Sequence, residues 1–101
     1  MPLTTRSKIL LIDDEVAFCE LCALWLEQAG YQVACAHDAA NGLALFKDAN
    51  SNDPQHKGFD LVIHDLSLPP TFKPEESLEN LRYYNDVPVL VLTAHSDRAL
   101  A

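Results

Sequence analysis

Three aspartates and a threonine stand where this chain changes abruptly from apolar to polar. Asp13 and Asp14 follow Ile9-Leu10-Leu11-Ile12, Asp65 follows Leu61-Val62-Ile63-His64, and Thr93 follows Val89-Leu90-Val91-Leu92. Carboxylates at close quarters repel one another unless a cation neutralises them. Hard oxygen donors with open water positions suit Mg²⁺ or Mn²⁺. Such a cation would also let a phosphate enter a negatively charged pocket. Asp65 could then act as a carboxylate nucleophile toward phosphorus and form an acyl phosphate. Thr93 offers a hydroxyl to the incoming phosphoryl oxygens, and N–H groups in the loop after Asp65 could add to that cradle.

Those residues can meet only if the elements before them lie side by side. Lys8–Ile12 is a short continuous apolar run, as expected for a strand buried on both faces of a parallel sheet. From Asp13 to Ala29 the pattern is helical, with Phe18, Leu21, Cys22, Trp25 and Ala29 predicted on the inner face and Gly30 at the C-terminal glycine position. Leu24, Trp25 and Leu26 cannot all face inward. Tyr31–Cys35 reads as a second strand. Asp38 looks like the N-cap of a helix reaching about Ala49, with Ala40, Leu43, Ala44 and Phe46 inside. A polar loop follows over 50–58. Phe59–His64 reads as a third strand ending on Asp65. A proline-rich loop, Leu68–Pro74, leads into a helix over Glu75–Tyr84, and Val87–Leu92 is a fourth strand. Ser96 or Asp97 could cap one more helix. Strands alternating with helices imply a parallel sheet with right-handed crossovers, and ligands of such sheets bind beyond the carboxyl ends of the strands where strand order reverses.

The bulk properties fit that reading. The chain has 101 residues, 49% hydrophobic and 22% charged, with a formal net charge of −8. One domain over 1–101 is expected, with no second domain. The acidic balance argues against direct nucleic-acid binding, which relies on Lys and Arg. The apolar run after the polar N-terminus is too short for a signal peptide or membrane span. Three scattered cysteines suggest no disulfide framework. A cytoplasmic location is the default expectation.

Ile9-Leu-Leu-Ile-Asp-Asp-Glu15, Leu61-Val-Ile-His-Asp-Leu-Ser-Leu-Pro69 and Pro88-Val-Leu-Val-Leu-Thr-Ala94 resemble, in order, the successive motifs of receiver domains of two-component response regulators. The resemblance covers almost the whole chain. Each motif alone is weak; together, each at a strand end, they are specific. The resemblance implies a flavodoxin-like doubly wound α/β sheet of strand order 2-1-3-4. It implies that Asp65 accepts a phosphoryl group from a sensor histidine kinase or phosphotransfer protein. It also implies that Asp14 and Asp65 ligate Mg²⁺ directly, Asp13 acts through water, and the Ser67 carbonyl is a further ligand. Thr93 and Ala94 would contact the phosphate, with Thr93 moving toward it to transmit the switch.

The match is incomplete at its end. A fifth strand, the lysine that follows it in receivers and a last helix would all fall beyond Ala101, and neither Lys57 nor Lys73 is placed to substitute. The fourth strand would then be a bare apolar edge. Either the chain is a truncated piece of a longer regulator, or a partner chain such as a second copy covers the edge through a homodimer. The loop Pro69-Pro-Thr-Phe-Lys-Pro74 also lacks the glycine common in receivers.

Other readings compete. Asp13 and Asp14 could simply cap the first helix, and Thr93 alone means little. Cys19-x-x-Cys22 lies mid-helix without a second pair, which disfavours zinc or redox roles, and Cys35 with His37 is no stronger. His64 is expected on the opposite strand face as a packed core histidine. As a whole, the alternative is a non-phosphorylated receiver-like interaction or dimerisation module rather than an enzyme. An FMN carrier would need a Ser/Thr-rich loop after the first strand, and an aspartate-based phosphatase a D-x-D there.

Overall fold

The computed structural model describes residues 7–49, 58–69, 73–84 and 86–92. Along them run β1 (Lys8–Ile12), α1 (Val16–Gln28), β2 (Gln32–Ala36), α2 (Ala39–Ala49), β3 (Leu61–Asp65), α3 (Pro74–Asn80), a 3₁₀ turn (Leu81–Tyr84) and β4 (Val89–Leu92). All pairings are parallel, in the order β2-β1-β3-β4. This is the expected doubly wound sheet.

The continuous apolar run of β1 has a direct cause, because both of its faces are covered. Leu10 and Ile12 enter a cluster with Ala36, Phe46, Phe59, Val62, Leu68 and Tyr84. Ile9 and Leu11 enter a second cluster with Cys19 and Ile63. Burying each such side chain is worth about 2 kcal/mol, so β1 is the strand around which the domain condenses. On the first face, α2 and the 3₁₀ turn meet through Phe46 and Tyr84, whose rings pack edge to face at 4.8 Å. On the second face α1 lies over β1 and β2.

The helices depart from their expected inner faces. In α1 the buried residue is Cys19, with Leu26 and the expected Cys22 packed beside it, whereas Leu21 is exposed and Trp25 is 62% exposed. Apolar residues lie all round this helix, so spacing alone does not select a face. The inner stripe is turned by about one residue, roughly 100°, from the one predicted. In α2 the inward residues are Gly42 and Phe46, flanked by Ala39, Leu43 and Ala49, while Ala40 and Ala44 face out. The third helix ends at Asn80, four residues before its predicted end, and tightens into the 3₁₀ turn that buries Tyr84. Strand boundaries shift as well. β3 includes Asp65 as its last residue.

Two local expectations hold. Asp38 Oδ1 accepts the Asn41 N–H at 2.7 Å, the capping contact expected at the start of α2. Gly30 after α1 has φ 102°, a left-handed conformation that glycine adopts without a Cβ clash. Among the described residues β4 is an outer strand, with Leu90 54% exposed and Val91 exposed. The loop expected over 50–58 lies outside the described residues except Gly58, as does the helix start expected at Ser96 or Asp97.

Gly42 is a point of close approach between α2 and β1. A Cβ there would sit 2.6 Å from Ile12 Cδ1 and 2.9 Å from Cγ1, and Ile12 is fully buried. Overpacking of this kind costs about 1–3 kcal/mol, against roughly 1 kcal/mol of helix propensity gained by alanine. Gly42→Ala should therefore lower the urea midpoint or leave it nearly unchanged. A clear rise in midpoint would show that Ile12 swings aside freely.

Candidate functional site

The strand register assembles the site. Ile12 stands opposite Ala36 on one side and His64 on the other. The next residue, Asp13, is thereby set between His37 and Asp65. The chain leaves β1 toward β2 and returns on the other side as β3, so this is the switch point where an open α/β sheet forms a crevice.

Asp13, Asp14 and Asp65 each bring a carboxylate oxygen within 4.8 Å of the other two. Asp13 is 1% exposed and Asp65 0%, while Asp14 is half-buried. Two unit negative charges within 4.8 Å repel by about 3 kcal/mol or more at an effective dielectric near 20. Oxygen-only donors, closely spaced and strongly repelling, are the chemistry a hard divalent cation fits.

Both buried aspartates are oriented alike. Asp13 Oδ1 accepts the Glu15 N–H at 2.9 Å, and Asp65 Oδ1 accepts the Ser67 N–H at 3.0 Å. Each is an Asp holding the backbone two residues on, the turn-forming habit of this side chain. The bond at Asp13 shapes the turn that leads into α1, but the N-cap position is Glu15 and no side chain caps the helix, so the capping role considered for Asp13 is not the one it takes. Ser67 is thus tied to Asp65. Thr93 and Ala94 lie outside the described residues.

Three residues hold this pair from behind. The Cys19 thiol donates to the Asp13 carbonyl oxygen at 3.3 Å, and His37 Nδ1 lies 3.0 Å from the same oxygen. Burial, reinforced by Cys35 and Asp13, pushes the Cys19 thiol up to about 12, so it remains an S–H donor. Neither residue was given this role by the sequence, although the parallel register alone would have placed His37 beside Asp13. His64 is buried as expected, on the opposite strand face, with its ring 5.9 Å from that of Tyr84. Its Nδ1 lies 2.7 Å from the Asp65 carbonyl oxygen, which requires Nδ1–H and leaves Nε2 as an acceptor. Nε2 meets no hydrogen-bond partner among the described residues.

A family model for the response regulator receiver domain matches residues 9–101. The chain belongs to this family. Among relatives, it is 33% identical to a CpxR homolog of Haemophilus influenzae, over 90% of this chain and 36% of that protein. It is 39% identical to the transcriptional regulator RpaA of a Synechocystis species, over 86% of this chain and 34% of that protein. This receiver chain thus spans about a third of the length of those relatives. Among solved structures, a receiver domain protein from Clostridium thermocellum superposes with TM-score 0.68 at 31% identity, covering 86% of this chain and 64% of that one. The Thermotoga maritima response regulator TrrA gives TM-score 0.65 at 26% identity, covering 88% and 72%. The fold and the two-component signalling class read from the motifs are therefore those of this receiver domain. No helix among the described residues is long and apolar enough to cross a membrane.

Desolvation lowers the His64 pKa below its ordinary 6.5, opposed by its bond to the Asp65 carbonyl. On acidification the unfolded chain therefore takes up this proton before the folded one does. The contribution is fully present above pH 6.5 and is lost as pH falls below it. Urea midpoints measured from neutral to mildly acidic pH should decline in the native chain and decline less in His64→Leu. Parallel declines would show that other groups set the acid sensitivity.

Proposed function

We propose that this receiver domain accepts a phosphoryl group on Asp65 with the help of a divalent cation, Mg²⁺ or Mn²⁺. The supporting observation is the meeting of the Asp13, Asp14 and Asp65 carboxylates within 4.8 Å at the ends of the two central strands. Asp14 and Asp65 would hold the cation directly, Asp13 through water, and the Ser67 carbonyl would complete the protein's donors. The bound cation supplies the positive charge that a phosphate needs to enter a pocket lined by three carboxylates.

Asp65 suits the acceptor role because its carboxylate is fixed before a donor arrives. The Ser67 N–H holds one oxygen, and the rigid strand below holds the backbone. A carboxylate oxygen attacks phosphorus in line, the nitrogen–phosphorus bond of a phosphohistidine breaks, and the imidazole leaves with that electron pair. Thr93 and Ala94 would receive the phosphoryl oxygens, and Thr93 would carry the change to the adjacent surface. The donor would be a sensor histidine kinase or phosphotransfer protein in the cytoplasm, with residues 1–101 forming one receiver unit.

Incubation with Mg²⁺ and acetyl phosphate, followed by intact-mass measurement, should show a single phosphoryl increment. It should vanish in Asp65→Asn and in excess chelator. A second reading, a docking module that is never phosphorylated, is favoured by the exposed Leu90 and Val91 on the β4 edge. It is supported instead if no increment forms.

Cation binding can be read separately. A ligand that binds only the folded chain at 100 times its dissociation constant adds about 2.7 kcal/mol of stability. Saturating Mg²⁺ should therefore raise the urea midpoint of the native chain. Asp14→Asn should abolish most of that rise while stabilising the cation-free chain, because it removes one member of the repelling cluster. An equal Mg²⁺ response in both chains would sink the assignment of Asp14 as a ligand.

A further inference from the structure

A second group of reactive side chains lies directly behind the acidic pocket. Cys19 and Cys22 of α1 and Cys35 of β2 are free thiols in one apolar cluster between the helix and the sheet. The Cys35 thiol donates to the Cys19 carbonyl oxygen at 3.8 Å, which sets the two residues side by side where α1 packs on β2. Cys19 in turn donates to the Asp13 carbonyl. Among the described residues, the group that brings three ligand atoms within reach of one ion is the aspartate cluster, so the thiols are not arranged as a metal site. The geometry favours a pair. It also pairs differently from the Cys19-x-x-Cys22 spacing in the sequence.

We propose that Cys19 and Cys35 form a redox site, whose oxidation to a disulfide loosens the hold on Asp13. Cys35 is the entry point. It is half-buried on the edge strand β2, whereas Cys19 is fully buried. The oxidant is a small disulfide. The Cys35 sulfur attacks one of its sulfur atoms and displaces the first thiol. The Cys19 sulfur then attacks Cys35 in that mixed disulfide and displaces the second. Two thiol protons are released, and two electrons reduce the reagent to two thiols. Burial keeps both protein thiols protonated, so the exchange is slow.

The structural consequence follows from the atoms involved. A disulfide sulfur carries no hydrogen, so Cys19 can no longer donate to the Asp13 carbonyl. Closing the pair to an S–S bond of about 2 Å also draws Cys19 toward β2. His37 Nδ1 would remain as the contact on it. Groups that orient metal ligands from behind typically govern affinity by roughly 10–100-fold. The expected effect on the pocket is a weakening of Mn²⁺ binding on the order of tenfold. This second half rests on the cation reading above, whereas the disulfide does not.

The test oxidises the native chain with glutathione disulfide over hours, alkylates remaining thiols and digests with a glutamate-specific protease. Cleavage after Glu20 and Glu27 places Cys19, Cys22 and Cys35 on separate peptides. The expected product is an intramolecular link between the Cys19 and Cys35 peptides with Cys22 alkylated. The same link should form in Cys22→Ser and be absent in Cys19→Ser and Cys35→Ser. A mixture of pairings, a Cys22 link, or alkylation of both Cys19 and Cys35 overturns the site. Mn²⁺ titration of reduced and oxidised chain then tests the coupling. Weaker binding, restored by dithiothreitol, supports it, and equal affinities overturn it. Absence of binding by the reduced chain overturns the cation reading and the coupling with it, while the peptide map still decides the disulfide.

Discussion

The parallel register of β1 against β3 is the constraint on which the rest depends. Ile12 pairs with His64, so Asp13 emerges beside Asp65 without any loop having to carry it there. A slip of one residue would turn every side chain of one strand to the other face. It would send Leu10 and Ile12 out of one cluster and into the other, and it would separate the two carboxylates. The apolar clusters on the two faces, with Leu10 and Ile12 on one and Ile9 and Leu11 on the other, therefore do more than stabilise the domain. They fix, to within one strand position, where the negative charges fall.

That arrangement sets two large effects against each other. Burial of the β1 side chains favours the folded sheet by about 2 kcal/mol for each residue. Crowding Asp13 and Asp65 opposes it by about 3 kcal/mol or more in the absence of a counter-charge. The core wins because several side chains act together while the repulsion involves one tight cluster. The backbone N–H groups of Glu15 and Ser67 recover part of the difference by donating to one charged oxygen on each aspartate. The pocket remains a place where added positive charge is favourable, and the fold is strong enough to keep it so.

The strand ends were legible because they carry two signals at once, an apolar run and an abrupt acid. That is why the parallel sheet and the candidate cluster of Asp13, Asp14 and Asp65 could be read from the residues, while the strand order came from the family resemblance. The inner face of α1 was not legible. Leu21, Leu24, Trp25 and Leu26 supply apolar residues in every direction, so period alone placed Cys22 inside but could not choose Cys19 and Leu26 over Leu21 and Trp25. The end of the third helix failed for a related reason. The pull of Tyr84 into the cluster with Phe46 comes from tertiary packing and outweighs local helix propensity. The contacts behind the pocket were out of reach because they are made to backbone carbonyls. No side-chain pattern announces that Cys19 and His37 will meet the oxygen of Asp13.

Those carbonyl contacts give the pocket a connection to both halves of the core. Asp13 is tied through its carbonyl to Cys19, which belongs to the cluster under α1. Asp65 is tied through its carbonyl to His64, whose ring leans on Tyr84 in the cluster under α2. A displacement of either aspartate must therefore stretch a hydrogen bond anchored in a close-packed interior, where small shifts meet steep resistance. Tight packing also means that whatever gives way does so between discrete arrangements rather than gradually. His64 is the weaker anchor of the two. Its Nε2 is buried without a hydrogen-bond partner among the described residues, so the fold already bears the cost of desolvating it. An anchor held at such a cost is easier to release than one whose polar atoms are all satisfied, and it lies on the strand that carries Asp65.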